Sequence, residues 1–488
     1  MKLNELTITQ AHDGLKKKDF SSVELTKACL DQIKKTEPIF HSFITLTEKA
    51  ALEQAKTVDH QADFSKPLTG VPVGIKDLFC TAGVRTTAAS KILEKYTPPY
   101  SATAVQKLFD QQAVMVGKTN LDEFACGSST ETSYFGLTKN PWDVSRVPGG
   151  SSGGSAACVA ASQTIYALGT DTGGSIRQPA ALTGLVGIKP TYGRVSRYGV
   201  VAMASSLDQV GPITKTVEDA AIVLEQIAGV DSKDSTTVPR PVPKYSELIK
   251  RDIKGLTIGV PKEYFVAGME PGVEKAVKAA IKQLEELGAN IKEVSLPNSP
   301  YGLAVYYIIM PSELSSNLAR YDGIRYGSPE PAHNLLDQYL ATRAKGFGAE
   351  IRRRIMLGTY TLSSGYYDAY YLKAQKMRTL IKQEFEKVFQ QVDCLVGATT
   401  PGVAFKIGEK TADPLAMYLS DVLTVTANIA GIPAVSLPCG FAKPADGDVE
   451  LPVGLQLLGK QFDEATILQV AHQYQQTTSW HLKHPAID

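Results

Sequence analysis

Short apolar runs that alternate with helical stretches are the feature of this sequence that most constrains its fold. Four of these runs have the length of buried strands: "GVPVGIKDL" (70–78), "AVMVGKTN" (113–120), "TIYALGTD" (164–171) and "GLVGIKPT" (184–191). Amphipathic segments such as "ATAVQKLFDQQ" separate them. Strands without a polar face need cover on both sides, which helices provide. The pattern therefore predicts an α/β fold with a largely covered sheet.

The order of strand and helix signals along the chain predicts how the chain is organised. The strand signals after residue 393 are expected to rejoin the first sheet, which favours a single domain over 1–488. Its predicted parts are an N-terminal helical region (1–62), a core (63–230), a Pro-rich surface connection (230–255), a helical Tyr-rich excursion (301–392) and C-terminal strands with a last helix (393–488).

Charge and cysteine usage exclude several classes of protein. The chain has 51 basic and 50 acidic residues, a formal net charge of +1, whereas proteins that bind a nucleic-acid backbone usually carry a basic surplus. The six cysteines stand singly, without a C-x-x-C pair, which disfavours a zinc ribbon or a disulfide framework. No signal-peptide core and no run of ~18 apolar residues occurs. The sequence therefore predicts a cytoplasmic protein without a membrane segment that acts on a small or neutral substrate.

Two runs of small residues need an explanation: "RVPGGSSGGSAA" (146–157) and "GTDTGGSIRQPA" (169–180). A flexible linker fits the first poorly, because "AACVAA" and a strand candidate follow it directly. A phosphate-binding P-loop requires G-x-x-x-x-G-K-[ST], and the G-K-T at 117–119 has Gln112 in place of the first glycine. Both readings are disfavoured.

A nucleophile elbow is a third reading of the first run, since Gly149-x-Ser151-x-Gly153 matches G-x-S-x-G. That elbow requires a preceding strand and a downstream Asp and His. The preceding "NPWDVSRVP" is a poor strand with two prolines. The downstream histidines lie in no context that marks a base; they are His333, His472, His481 and His484.

The remaining reading combines both runs with a lysine. A serine hydroxyl is a weak nucleophile until a base removes its proton, and on several folds that base is lysine. The lysine must be neutral, and burial lowers its pKa. Lys76 follows "GVPVGI", which would carry it to the end of a buried strand, although a solvent-facing strand end is the alternative. The segment "DTGGS" offers unobstructed amides that suit an oxyanion.

Lys76 in "GIKD", Ser151 in "GGSSGGS" and Ser175 in "DTGGSIRQPA" resemble the amidase signature family. The resemblance implies a large mixed β-sheet covered by helices on both faces. It also implies that Ser175 is the nucleophile, that Lys76 is the general base, and that Ser151, after a cis peptide bond, is the relay between them. The predicted oxyanion hole consists of the N–H groups of Thr172, Gly173, Gly174 and Ser175.

Within that family, four further segments resemble the glutaminase subunits of tRNA-dependent amidotransferases: "LDEFACGSSTETSYFG", "RYGVVAMASSLDQVGP", "RRRIMLGTYTLSSGYYDAYY" and "SDVLTVTANIAGIPAVSLP". They extend along nearly the whole chain. The resemblance implies hydrolysis of glutamine within a heterotrimer. A B subunit would bind the charged tRNA and use ATP and Mg²⁺, a small C subunit would wrap the interface, and this chain would need no metal or cofactor. A stand-alone small-molecule amidase and a non-catalytic scaffold are the competing functions.

The resemblance also indicates how glutamine would be bound. A selective pocket must neutralise the α-carboxylate and the α-ammonium group. Arg354 in "RRRIM" would bind the carboxylate, Asp421 in "SDVLT" the ammonium group, and Tyr306 would line the pocket. The neighbouring Arg352, Arg353 and Tyr307 are alternatives in that alignment. Cys126 departs from the pattern, which has Met at that position, but both side chains are compact and apolar, so no loss of activity is expected.

Overall fold

A computed structural model describes residues 2–487 of the chain. Its centre is one sheet of eleven strands in the order β1-β3-β2-β4-β6-β5-β10-β11-β9-β7-β8, with both parallel and antiparallel pairs. The strands are β1 (Phe43–Leu46), β2 (Pro72–Lys76), β3 (Val114–Thr119), β4 (Tyr166–Asp171), β5 (Val186–Lys189), β6 (Gln209–Thr214), β7 (Thr257–Pro261), β8 (Asn290–Val294), β9 (Cys394–Ala398), β10 (Ala434–Ala442) and β11 (Leu451–Gly459).

Helices fill the connections between these strands. They are α1 (Ile8–Lys17), α2 (Ser22–Phe40), α3 (Glu48–Gln61), α4 (Thr103–Asp110), α5 (Gly153–Ala160), α6 (Arg177–Thr183), α7 (Val217–Ile227), α8 (Tyr245–Leu248), α9 (Pro271–Glu286), α10 (Gly302–Leu318), α11 (Leu335–Gly346), α12 (Ala349–Leu362), α13 (Lys373–Val388), α14 (Pro414–Tyr418), α15 (Val425–Ala430) and α16 (Glu464–Gln476). Side-chain caps begin α2 and α7: the Ser21 and Thr216 hydroxyls accept from the N–H groups of Glu24 and Asp219.

The prediction that helices cover both faces of the sheet is confirmed. Successive strand residues point to opposite faces. On β11, a side chain at Gly454 would collide with Ala181 of α6, whereas one at Gly459 would meet Ile467 of α16 at 2.8 Å. These two positions are an odd number of residues apart, so α6 and α16 lie on opposite faces. No helix within residues 2–487 has the length and apolar character needed to cross a membrane.

The C-terminal strands lie in the same sheet as the N-terminal ones. β9, β10 and β11 stand between β5 and β7, and the segment 301–392, which separates them in sequence from the earlier strands, forms α10 to α13 and one π-helical turn. The chain therefore leaves the sheet for a helical excursion and returns to it, as the sequence predicts.

Two parts of the secondary structure differ from the sequence prediction. The sequence does not predict β6, because "QVGPIT" contains a glycine and a proline, which are rare inside strands. It nevertheless lies between β4 and β5, with Pro212 opposite Leu168. The expectation of an entirely helical N-terminal region is wrong at Phe43–Leu46, which forms edge strand β1.

The sheet brings the two predicted catalytic segments together. β2 and β4 are parallel neighbours, with Ile75 paired to Leu168. The carboxyl ends of parallel strands meet at one edge of a sheet, where α/β proteins place their sites. Lys76 ends β2 and Asp171 ends β4, so the lysine and the second small-residue run meet at this edge.

Candidate active site

Lys76 is fully buried at the end of β2, so the alternative of a solvent-facing strand end is wrong. Its Nζ lies 2.8 Å from Ser151 Oγ, 2.8 Å from Ser152 Oγ and 2.9 Å from Thr170 Oγ1. Burial lowers the pKa of Lys76 to about 7, although nearby carboxylates oppose the shift. Near neutral pH the amine therefore exists partly in its neutral form, as a general base requires.

Ser151 follows a cis peptide bond from Gly150, as the family resemblance implies. The Asp122 carboxylate holds the adjoining loop by accepting from Thr130 N–H at 2.9 Å and Thr132 Oγ1 at 2.8 Å. A Cβ at Gly150 would collide with that carboxylate, which explains the glycine. The Asp122 N–H donates to the Ser151 carbonyl at 3.3 Å. The loop thus fixes Ser151 against Lys76.

Ser175 lies in the loop between β4 and α6, and a buried ion pair closes that loop. The Asp171 carboxylate accepts from Arg177 Nε at 3.0 Å and from Arg177 Nη2 at 3.0 Å. Burial favours the protonated acid, but the charge and hydrogen bonds of Arg177, with the Lys189 charge and a hydrogen bond from Asn428, together outweigh it and lower the pKa of Asp171 to about 2. The Ser152 N–H donates to the Ser175 carbonyl at 3.1 Å, which joins the two small-residue runs.

The predicted oxyanion hole requires one correction. The Gly174 N–H donates to Asp171 Oδ1 at 2.9 Å, so this amide is already occupied. Among residues 2–487, the N–H groups of Thr172, Gly173 and Ser175 have no hydrogen-bond acceptor. These three amides remain candidates for an oxyanion, and Gly174 supports the loop instead.

Arg354 is the buried member of the three neighbouring arginines, at 3% exposed. Its guanidinium lies 4.7 Å from the ring centre of Tyr307 and 4.4 Å from that of Tyr418, and its Nε donates to Glu350 Oε1 at 2.6 Å. The Arg353 side chain is 47% exposed and pairs with Glu350. Arg352 is exposed as well. The geometry therefore favours Arg354 among the three.

Asp421 lies close to that arginine and is buried. Its Oδ2 accepts from Ser128 Oγ at 2.6 Å and from Tyr307 Oη at 3.3 Å. Burial raises the pKa of Asp421 to about 7. Tyr307, the alternative to Tyr306, thus contacts both charged groups. Tyr306 lies instead against the nucleophile loop, where a Cβ at Gly173 would be 2.6 Å from its Cζ.

A cavity of about 270 Å³ opens beside these charged groups, a size that suits a small molecule. Its border includes Glu123, Ser128, Glu350, Arg354, Lys410 and Tyr418. Ser175, Asp421 and Tyr307 do not border it, and Tyr306, which the family resemblance places in the lining of the pocket, does not border it either. Asp421 accepts from Ser128 at the cavity border, and Thr424 links it to the nucleophile loop: Thr424 Oγ1 donates to the Gly173 carbonyl at 2.6 Å and lies 3.0 Å from the Asp421 carbonyl.

Several residues of the site are not predicted from the sequence. Ser152 stands in the quoted motif beside Ser151, and Thr170 precedes Asp171, so proximity to the motifs is the available signal. The pairing of Asp171 with Arg177, six residues apart, could be proposed from their opposite charges around Ser175. Ser128 lies inside the quoted segment at 121–136, and Tyr418 lies two residues before the quoted segment that begins at Ser420, but nothing in either stretch indicates that these two side chains border the same cavity.

The amidase family profile matches residues 24–468, and the chain therefore belongs to the amidase family. A relative from Trichormus variabilis, named as the A subunit of glutamyl-tRNA(Gln) amidotransferase, is 58% identical over 99% of each chain. The solved structure of the protein of that name from Thermotoga maritima has a TM-score of 0.83 and 43% identity, and covers 100% of this chain and 99% of its own. A peptide amidase from Stenotrophomonas maltophilia has a TM-score of 0.84 at 30% identity, over 99% of each chain.

Proposed function

We propose that this chain is the glutaminase subunit of a tRNA-dependent amidotransferase, which hydrolyses glutamine and supplies ammonia to a partner. The observation that carries the proposal is the buried amine of Lys76, placed 2.8 Å from Ser151 Oγ in a chain 58% identical to a protein named as part of such an enzyme. The ammonia would convert Glu-tRNA(Gln) to Gln-tRNA(Gln). Use of Asp-tRNA(Asn) would depend on the partner.

The partners in this proposal are a small C subunit together with a larger B subunit. The B subunit would bind the charged tRNA and use ATP and Mg²⁺ to activate it, in the cytoplasm. A net charge of +1 on this chain supports the division, because most contacts with the tRNA phosphates would then lie on the partner.

The chemistry begins with proton transfer toward Lys76. The neutral amine would accept a proton from Ser151 Oγ, and Ser151 would take one from Ser175 as Ser175 Oγ attacks the side-chain amide carbon of glutamine. Because no protein group within residues 2–487 hydrogen-bonds to Ser175 Oγ, this step requires the two hydroxyls to come together in the substrate complex. The Ser152 hydroxyl donates to the Thr170 carbonyl at 3.1 Å, so it can only accept from Lys76. This hydrogen bond helps to orient the amine for transfer from Ser151.

Negative charge then develops on the amide oxygen of the substrate. The free N–H groups of Thr172, Gly173 and Ser175 would stabilise that oxyanion. The proton held at Lys76 returns through Ser151 to the departing ammonia, leaving a glutamyl ester on Ser175. Water attacks this ester by the same relay, which releases glutamate and restores Ser175.

Arg354 at the cavity and Asp421 behind Ser128 would select glutamine. Arg354 would bind the α-carboxylate, and Asp421 in its ionised form would bind the α-ammonium group. Tyr307 would hold both groups in place through its ring and its hydroxyl, and Tyr306 would close the pocket over Gly173.

The function is tested by measuring ammonia release from glutamine for the chain alone and with the B and C subunits and charged tRNA. We expect a stable ternary complex, identified by its mass in solution, with glutaminase activity that the tRNA-loaded complex uses to form Gln-tRNA(Gln). A chain that stays monomeric with both subunits and hydrolyses simple or peptide amides instead would establish the stand-alone amidase.

The pKa values predict the pH dependence of this activity. Because Lys76 must be neutral, kcat should rise about tenfold per pH unit below pH ~7 and level off above it. Asp421 must be ionised, and its pKa is also raised to about 7, so KM for glutamine should fall as the pH rises through the same range. Steady-state kinetics of ammonia release across pH ~5.5–9 separates the pH dependence of kcat from that of KM. A kcat that still rises about tenfold per pH unit up to pH ~9, as the ordinary lysine pKa of ~10.4 would give, would contradict the role of Lys76.

A further inference from the structure

Glu123 is a buried carboxylate that the mechanism above does not use. It follows Asp122 just after β3 and is 3% exposed. Its Oε2 accepts from Gly348 N–H at 2.9 Å, and its Oε1 accepts from Ser90 Oγ at 2.5 Å. Gly348 is the residue immediately before α12. Both oxygens of Glu123 are therefore engaged, and one of them holds the start of a helix.

That helix carries several of the charged groups that border the cavity. Arg354 and Glu350 lie in the first two turns of α12 and bond to each other at 2.6 Å. A Cβ at Gly348 would collide with Glu123 Oε2, so the chain approaches the carboxylate as closely as glycine allows. A shift at Gly348 would displace the first turns of α12 and with them Arg354.

We infer that Glu123 is a positioning residue, which anchors the N-terminus of α12 and thereby places Arg354 for the substrate carboxylate. This inference rests on the proposed function. The neighbouring Asp122 holds the loop around Gly150 and Ser151. Two adjacent carboxylates therefore connect both the loop at Ser151 and the N-terminus of α12, which carries Arg354, to the same short segment of chain.

Glu123 also borders the cavity, so direct contact with the substrate ammonium group is the rival role. Glutamine at this position separates the two roles. In Glu123→Gln, Oε1 can accept from Gly348 N–H while Nε2 donates to Ser90 Oγ. The Ser90 hydrogen can then go to the Gly346 carbonyl, 3.2 Å away. Glu123→Gln thus keeps the anchor and loses the charge, whereas Glu123→Ala loses both.

The experiment compares steady-state ammonia release from glutamine for the wild type and these variants. We expect Glu123→Ala to raise KM at least about tenfold with kcat within about threefold, because only substrate positioning is lost. Glu123→Gln should stay within about threefold of the wild-type KM. Gly348→Ala displaces the same contact and should raise KM as much as Glu123→Ala does. If Glu123→Ala does not fold, the KM of Gly348→Ala tests the inference in its place. The matched control is Glu384→Ala, which removes a carboxylate that accepts from Asn298 N–H at 3.1 Å elsewhere in the protein.

A double-mutant cycle tests whether Glu123 acts through Arg354. If it does, Glu123→Ala combined with Arg354→Ala should have a KM no higher than Arg354→Ala alone. Additive increases in KM, a Glu123→Gln variant as impaired as Glu123→Ala, or an unchanged KM in both Glu123→Ala and Gly348→Ala would overturn the inference while the glutaminase activity stands. A wild-type chain that releases no ammonia from glutamine would overturn the proposed function and this inference together.

Discussion

Replacing Ser175 by alanine is expected to abolish ammonia release from glutamine. Without Oγ no acyl ester can form, and the remaining amides only polarise the substrate, so kcat should fall by about 10⁴-fold or more. The fold should survive, because no protein group within residues 2–487 hydrogen-bonds to Ser175 Oγ. Ammonia release by the purified variant measures the activity, and its thermal unfolding measures the fold.

A matched serine controls for the substitution itself. Ser22 is buried, and its Oγ donates to the Gly70 carbonyl at 3.1 Å, away from the triad. Ser22→Ala should keep its glutaminase activity, while Ser151→Ala and Lys76→Ala should lose most of theirs and remain folded. Full glutaminase activity in Ser175→Ala would refute the nucleophile assignment.

The sequence is most informative where function constrains a short stretch of chain. The apolar run before Lys76 predicts a buried strand end, and the structure places the amine there with its pKa lowered by burial. The family resemblance of these stretches implies the cis peptide bond before Ser151, which the structure contains, and the glycines of both runs permit close approaches to Asp122 and Tyr306.

Contacts between distant segments cannot be predicted in the same way. Whether Gly174 N–H faces a substrate or Asp171 depends on the pairing of Asp171 with Arg177 and on Asn428, 257 residues away from Asp171 in sequence. The choice between Tyr306 and Tyr307 depends on how α10 rotates against α12, which a helical pattern does not specify. Strand β6 escapes prediction because the packing of its neighbours, and not its own propensity, stabilises it.

The nucleophile loop depends on one buried arginine. Arg177 is fully buried, and besides Asp171 it donates to Gln456 Oε1 at 2.6 Å and to Asn428 Oδ1 at 2.6 Å. These acceptors come from β4, β11 and α15, so one guanidinium joins three elements around Ser175. Removing it would leave the Asp171 carboxylate buried without its countercharge and two amide oxygens buried without their donor, and removing one partner of a buried ion pair is strongly destabilising.

Arg177→Met is therefore expected to lower the free energy of unfolding by about 3–5 kcal/mol. Urea unfolding measures the loss, and Lys278→Met is the matched control, since it removes an exposed i,i+4 pair with Glu274 whose loss should cost at most about 1 kcal/mol. Arg177→Met combined with Asp171→Leu should recover part of the stability, because the uncompensated charge is gone, but not the glutaminase activity, because Gly174 and Ile176 lose the acceptor that shapes the Ser175 loop. An Arg177→Met variant as stable as Lys278→Met would show that the pair does not hold the loop.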